Sequence, residues 1–426
     1  MPDYDAIILN LDGSKKFYEI GSFAAFMESD MKFKAVCAGG MGAINAAFFS
    51  MKDMDKIVKF WTMAVGKNLF KVNNLIAGLY EHSWSKLSKK GFVKEFAKFL
   101  STDKRLKDLK KALREYINED DVRNSDIKLF FDVIDLNTME FTSLSIDDIP
   151  KGQLHSYILL CVCFPEISNM DSNMGGMQNY NGNLIDVLVE NGYENIISIE
   201  EMVDKSSLKK ITIIKSSDFL ELEDKYNTDV MKEHIKIGYL NTLKVLKKVC
   251  GKYYYINFEN DSSYTLFEKH MGDSFNDNKD YLIMELLDLD SNNKNLIRKT
   301  LCDMIRFSEY RKENNALISL MENLSNIFGI EEKEKYTFTK LKNEIEKIYK
   351  HEVNSHLRKI EDKNYLSKMI NSKEEILSVN KDNFLDYFLL LVSSNPRNYE
   401  RLYVNIFNKI NDKMRLGIVT LLYLLY

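Results

Sequence analysis

The stretch Val36-Cys37-Ala38-Gly39-Gly40-Met41-Gly42-Ala43-Ile44-Asn45-Ala46-Ala47 carries the strongest fold signal in this chain. A short apolar run enters a cluster of small residues and leaves as an alanine-rich segment. That pattern predicts a β-strand, a tight turn and the start of a helix. In many hydrolases such a corner reads G-x-S-x-G, and its serine is the nucleophile. Here Gly40, which has no side chain, lies at the centre of the corner.

Strand-like and helix-like segments alternate around this corner, from the first residues to about residue 250. Such alternation predicts a mainly parallel sheet between layers of helices. Ligands of these sheets bind at the carboxyl ends of the strands, where residues 39–42 would lie. The predicted strands are Ala6–Leu11, Phe33–Ala38, Ile127–Leu136, Asn195–Glu200 and Lys209–Lys215, and the first two predicted helices are Tyr18–Glu28 and a segment from Ala43 onward.

The pattern changes near residue 256. Segments such as Lys335–Ile360 and Phe384–Val392 have helical periodicity and are rich in Lys, Glu, Asn and Leu. Glycine and proline also become rare, because only four of the 18 glycines and one proline, Pro396, lie from residue 251 onward. We therefore predict an α/β domain over residues 1–255 and an all-α domain over residues 256–426.

Composition and charge exclude several classes of protein. The 426 residues are 45% hydrophobic and 29% charged, which is an ordinary globular composition. A net charge of −4 gives no basic field that would recruit nucleic acid, and lysine-rich Lys104–Arg114 is predicted to be a solvated helix face. No segment approaches the roughly 18 apolar residues that span a membrane. We expect the C-terminal GIVTLLYLLY to be a buried helix, and the N-terminal MPDYDAIILNLDG to hold the first strand rather than a signal peptide.

Cysteine and histidine give no sign of a metal or a cofactor. The five cysteines are scattered, which is typical of reduced thiols in a reducing compartment, so we expect a cytoplasmic protein, with peripheral membrane association left open. Cys37 is expected to be packed inside. His351 and His356 are five residues apart, which does not match the H-E-x-x-H spacing of a zinc site. His155 is expected to be a core or strand-end histidine just before a buried strand.

Five features, in order, resemble one family, the patatin-like phospholipases, and in particular bacterial members with an added C-terminal helical region. The resemblance covers roughly residues 5–250 and implies a three-layer α/β domain. Active members of that family hydrolyse acyl esters of lipids with a Ser–Asp dyad and a glycine-rich oxyanion loop. The five features are Tyr18-Glu19-Ile20-Gly21, the corner at 36–47 followed by Phe60-Trp61, the apolar run Cys161–Pro165, the loop Met174-Gly175-Gly176-Met177 leading to Ile185–Tyr193, and Ile237–Thr242.

The resemblance places Gly40 where the nucleophilic serine would be, with Ala38 in place of the first glycine. Serine at such an elbow is often held at positive φ, at a cost on the order of 1–3 kcal/mol. Glycine adopts that conformation freely. The substitution implies that the attacking group is lost and that backbone strain is relieved.

The dyad aspartate and the oxyanion loop are altered as well. Alignment on the glycine pair places Met174 at the aspartate position, and alignment on Ile185-Asp186 places Gly176 there; neither is a carboxylate, and Asp171 is the nearest acid upstream. The family's G-G-G-x-[K/R]-G loop corresponds to Leu11-Asp12-Gly13-Ser14-Lys15-Lys16, in which only Gly13 is retained from the glycine set. Asp12 would repel the charge that develops on a substrate oxygen, whereas Ser14, Lys15 and Lys16 are a candidate anion site.

These changes predict a patatin-like homologue that has lost its hydrolase activity and acts as a binding or regulatory protein. The expected partner is an active patatin-like paralogue or a lipid, bound through its acyl chain or its headgroup. Met41, Met170, Met174 and Met177 would suit such a partner as an adaptable apolar surface. The alternative is an active phospholipase A-type acyl hydrolase with relocated catalytic groups.

Overall fold

A computed structural model gives the architecture of the chain. The chain forms two compact units, Met1–Leu246 and Lys247–Tyr426. The structure describes residues 4–9, 11, 13–69, 91, 94, 98, 102, 104–135, 140–168, 182–200, 211–215, 227–272, 279–289, 294–310, 315–371, 379–393, 406 and 410–425.

The first unit is built on one six-stranded sheet with strand order β4-β3-β2-β1-β5-β6. Strands β3 and β4 pair antiparallel, and all other neighbours pair parallel. In chain order its described elements are β1 (Ala6–Leu9), a 3₁₀ turn (Gly13–Lys15), α1 (Lys16–Glu28), β2 (Ala35–Ala38), α2 (Gly42–Ser50), α3 (Met54–Gly66), α4 (Lys104–Tyr116), α5 (Glu119–Arg123), β3 (Lys128–Asp135), β4 (Glu140–Ser145), α6 (Leu154–Ser168), α7 (Gly182–Glu190), β5 (Ile196–Glu200), β6 (Ile211–Lys215) and α8 (Thr228–Val245).

Both faces of the sheet are covered, which explains why β1 and β2 are uninterrupted apolar runs. Side chains alternate between the faces of a strand. Ile7 and Leu9 therefore belong to the larger core, together with α1, α2 and α3. Ile8 and Cys37 belong to a smaller core on the opposite face, with Leu184 and Leu188 of α7. The predicted mainly parallel sheet between helices is confirmed.

Helices α1 and α8 cross at two glycines, which gives a physical reason for two of the sequence motifs. A Cβ added at Gly21 would lie 1.9 Å from the carbonyl oxygen of Ile235, and one added at Gly238 would lie 2.0 Å from that of Tyr18. No larger residue fits where backbones approach this closely. Beside the crossing, the Thr242 hydroxyl donates to Ser22 Oγ at 2.9 Å.

Two expectations for the first unit were wrong or incomplete. The apolar segment after His155-Ser156 was expected to be a buried strand, but it lies in α6. The helix has 15 residues, more than an ordinary strand, and an apolar helix segment has the same uninterrupted sequence pattern as a buried strand. Strand β4 was not predicted at all; it lies at the edge of the sheet, and its sequence EFTSLS mixes apolar and polar residues.

The second unit is mainly helical. One correction to the all-α expectation is a parallel pair of three-residue strands, in which Tyr255 pairs with Lys335 and Asn257 with Thr337. The domain boundary predicted after residue 255 would fall inside the first of these strands. The described elements are β7 (Tyr255–Asn257), α9 (Ser262–Gly272), α10 (Lys279–Leu286), α11 (Lys294–Phe307), α12 (Ala316–Ile327), β8 (Lys335–Thr337), α13 (Phe338–Glu361), α14 (Lys363–Asn371), α15 (Lys381–Ser393) and α16 (Asp412–Leu425).

The C-terminal apolar segment is a buried helix, as predicted. Helix α16 buries Leu416 to Leu424 in the core of the second unit. Among the described residues, no helix is long and apolar enough to cross a membrane.

Candidate functional site

The corner between β2 and α2 has the geometry of a strand–turn–helix elbow. Strand β2 ends at Ala38, Gly40 has a φ of +52°, and α2 begins at Gly42. Ala43 N–H donates to the Gly40 carbonyl at 3.3 Å, which closes the turn. A Cβ at Gly42 would lie 2.7 Å from the Leu9 carbonyl oxygen, so α2 starts tight against β1. The backbone of Gly40 is in the left-handed region, which glycine adopts more readily than any other residue.

A buried hydrogen-bond network lies behind the elbow and connects three of the sequence motifs. Asn45 of α2 donates through Nδ2 to Glu19 Oε2 at 2.6 Å and to the Lys16 carbonyl at 3.1 Å. Its Oδ1 accepts from Trp61 Nε1 at 2.8 Å. The other Glu19 oxygen, Oε1, accepts from Leu11 N–H at 3.2 Å. Glu19, Asn45 and Trp61 are all fully buried, so this network fixes α1, α2 and α3 around the corner.

The amine of Lys16 is buried beside the elbow. Lys16 Nζ contacts Met41 Sδ and lies 5.2 Å from the centre of the Trp61 ring. A cation over an aromatic face is attracted by the ring quadrupole. The amine of Lys16 is therefore fully buried next to Met41, whereas the sequence pattern indicated Lys16 only as part of a candidate anion site with Ser14 and Lys15.

The altered oxyanion segment is partly described. Gly13 (φ +60°), Ser14 and Lys15 form the 3₁₀ turn that leads into α1. His234 Nδ1 lies 2.9 Å from the Ser14 carbonyl, which can only accept, so Nδ1 carries the proton. Burial lowers the pKa of His234, so the ring is neutral at physiological pH. Asp12, Asp171, Met174 and Gly176 lie outside the described residues, and their predicted roles stay predictions.

Two buried titratable groups lie on the sheet face opposite α2. Burial raises the pKa of the Cys37 thiol well above its usual value, so this cysteine is an inert core residue, as expected. Burial raises the pKa of Asp132 to about 7. Asp132 Oδ1 accepts from the Ser143 hydroxyl at 3.3 Å, while Oδ2 has no hydrogen-bond partner among the residues that the structure describes. Because Ala38 pairs with Phe131, Asp132 lies one position further along β3, level with the start of the elbow.

His155 has a structural role. Its Nε2 donates to the Ile117 carbonyl at 2.9 Å and so joins α6 to the end of α4. It also lines a groove of about 530 Å³, together with Arg114 and Glu119. None of the elbow residues lines that groove.

Comparison with known proteins gives only remote similarity. No family model matches the sequence, and no curated protein matches it. The solved structure of the heterodimeric ExoU–SpcU complex from the type III secretion system of Pseudomonas aeruginosa is similar at 10% identity and a TM-score of 0.34, covering 100% of this chain and 90% of that one. A crystal structure of the type III effector protein ExoU has 12% identity and a TM-score of 0.30, covering 98% and 93%. At these values the matches carry no argument about activity or partners.

Proposed function

We propose that this chain is a non-catalytic patatin-like protein whose α/β unit serves in binding or regulation. The observation that supports the proposal is the elbow at Gly40. The turn keeps the left-handed conformation and the packed helix start that a nucleophile would need, but Gly40 supplies no attacking atom. Ester hydrolysis by this mechanism needs a nucleophile, a base and an oxyanion cradle.

The buried hydrogen-bond network supports a role in which the shape of the α/β unit matters. Glu19, Asn45 and Trp61 remain hydrogen-bonded around the corner, and Gly21 and Gly238 still permit the tight α1–α8 crossing. A chain that needs the shape of this unit for binding, without its chemistry, keeps these features. The proposed partner is an active patatin-like paralogue or a lipid acyl chain.

The test is a fluorophosphonate probe combined with an acyl-ester assay on the purified full-length protein. We expect no specific, heat-sensitive labelling and no turnover above a heat-treated sample. Isolation of the protein from its native host tests the partner directly: a stoichiometric complex with a Ser–Asp-containing relative supports the regulatory role, and a protein isolated only as monomer or homo-oligomer contradicts it.

The second candidate is a phospholipase A-type hydrolase with a relocated base, and Asp132 is the observation that favours it. A buried carboxyl whose pKa is about 7 is suited to general-base catalysis at neutral pH. Asp132 also lies on the sheet face that α7 covers, and α7 directly follows the loop in which the family's aspartate is expected. Specific labelling that is abolished by Asp132→Asn would favour this candidate over the first.

A further inference from the structure

Two neighbouring helices of the second unit bring four chemistry-bearing side chains to one place. Helix α13 carries Glu352 and His356 at positions i and i+4, which lie on one face of a helix. Helix α15 packs against α13 and carries Asp382 and Asp386 at the same spacing. Sequence reasoning compared His356 only with His351, and the structure instead places three carboxylates around it.

His356 is held in one orientation by its neighbours. The side chain is 2% exposed, and Nδ1 lies 2.6 Å from Asp386 Oδ1. The second oxygen of Asp386 accepts from the hydroxyl of Tyr365. Because a carboxylate oxygen at this distance accepts a hydrogen bond from Nδ1–H, Nε2 is the ring nitrogen that can bind a metal ion. A carboxylate behind the imidazole is the usual support of a metal-bound histidine.

The Nε2 atom of His356 lies within ion-pair distance of two carboxylate oxygens. It lies 3.7 Å from Glu352 Oε2 and 3.9 Å from Asp382 Oδ1, and both separations exceed a hydrogen bond. All three atoms lie within 4.8 Å of one another. Ligands of a tetrahedral zinc ion with bonds of about 2.0–2.1 Å are about 3.4 Å apart, so only small side-chain movements are needed to close around an ion.

The charges of the cluster match a divalent cation. Among the described residues around this cluster, the carboxylates of Glu352, Asp382 and Asp386 outnumber the ammonium paired with them, Lys381 Nζ, which lies 2.5 Å from Glu352 Oε1. An excess of carboxylate groups favours a divalent cation. Lys381 also holds Oε1, which turns Oε2 toward His356. Asp382 has a side-chain exposure of 70%, so an ion can enter from solvent at this side.

We propose that Glu352, His356 and Asp382 form a divalent transition-metal site, and that Zn²⁺ is its preferred ion. One imidazole nitrogen and two carboxylate oxygens are suitable zinc ligands, and three protein ligands leave one position for water. Asp386 is a positioning residue that acts through His356. A bound ion joins α13 to α15 and stabilises the second unit. This site is independent of the function proposed for the elbow.

The test is titration of ZnCl2 into chelator-treated full-length protein, followed by calorimetry and by thermal unfolding. We expect one saturable site, and a melting temperature that rises with zinc as expected for a ligand that binds only the folded state. Asp382→Asn and Glu352→Gln each weaken binding at least tenfold. His351→Gln, an exposed histidine on the same helix, is the matched control and leaves the affinity unchanged. Asp382 is exposed, so its variant folds even where a His356 variant does not.

Cobalt provides a readout for the positioning role. Co²⁺ bound at the site gives a visible absorption spectrum, and Asp386→Asn is expected to weaken metal affinity by about 10–100-fold and to shift that spectrum at saturation. Absence of saturable binding by Zn²⁺ or Co²⁺ at millimolar concentration would overturn the proposal. So would stoichiometric binding that Asp382→Asn and Glu352→Gln leave intact, because the ion would then lie elsewhere, for example on cysteine.

Discussion

The clearest stability prediction concerns Asn45, which joins three helices behind the elbow. Asn45→Ala removes the donor to Glu19 at 2.6 Å, the donor to the Lys16 carbonyl at 3.1 Å and the acceptor of Trp61 Nε1 at 2.8 Å. A hydrogen bond to a charged group contributes roughly 1.5–3 kcal/mol and a neutral one roughly 0.5–1.5 kcal/mol. The lost bonds and the small cavity together predict that the first unit is destabilised by about 3–4 kcal/mol.

Tryptophan fluorescence during urea unfolding is the assay. Both tryptophans of the chain, Trp61 and Trp84, lie in the first unit, so the signal reports that unit alone. The matched control is Asn191→Ala, an exposed asparagine whose Nδ2 donates to the Val187 carbonyl at 2.8 Å. Its expected cost is about 0.5 kcal/mol. Equal costs for the two variants, or a cost below about 1 kcal/mol for Asn45→Ala, would refute the inferred role of the network.

Three further predictions follow from buried or strained positions. Asp132 has a pKa of about 7 in the folded state against an ordinary value of 3.8, so between these pH values the folded state binds a proton that the unfolded state has lost. The free energy of unfolding therefore falls by several kcal/mol as the pH rises from about 4 to 7. Asp132→Asn should flatten this slope when urea unfolding is compared at pH 5 and pH 8. Gly40→Ser places a side chain at φ +52°, so it should lower the free energy of unfolding by about 1–2 kcal/mol. Gly66→Ala is the control, because an added Cβ there meets no other atom of the described residues within 4 Å. The Gly40→Ser variant should not gain fluorophosphonate labelling. Glu322 is fully buried and accepts hydrogen bonds from the N–H groups of residues 252–254. Glu322→Ala should therefore destabilise the second unit by about 3 kcal/mol, measured as unfolding followed by far-UV circular dichroism. An unchanged unfolding midpoint would contradict that role.

Strands β1, β2, β3, β5 and β6 of the sheet fall within the predicted segments, and β4 was missed. The clearest of them, β1 and β2, are buried on both faces, and such strands are short, uninterrupted apolar runs. The same property caused the error at His155, where a buried helix has no polar face to show its period. The strands β7 and β8 have only three residues each, which is too short for any periodic signal.

The surroundings of the elbow could be predicted only in part. The spacing of small residues was enough for the strand, the turn and the helix around Gly40. The network behind it joins Glu19, Asn45 and Trp61, which lie on three different helices, and no local pattern reports such contacts. The available sequence signal was that each of the three residues lies in one of the motifs quoted for the family resemblance.

The proposed metal site had a sequence signal that was missed. Glu352 and His356 are four residues apart, and so are Asp382 and Asp386. A separation of four residues puts two ligands on one face of a helix. Glu352 and His356 lie within the predicted helical segment Lys335–Ile360, whereas Asp382 precedes the predicted segment Phe384–Val392 and lies in the longer helix that the structure shows. Which helices pack together is a tertiary property, and the sequence pattern does not specify it.

The elbow at Gly40 has the turn of a nucleophile elbow but no attacking atom. The most direct measurement is hydrolysis of a simple fatty-acyl ester by the purified full-length protein, compared with Gly40→Ala and with a heat-treated sample. Our account predicts equal, background rates for all three. Turnover by the native protein that is lost on heating, and that a fluorophosphonate blocks, would contradict it.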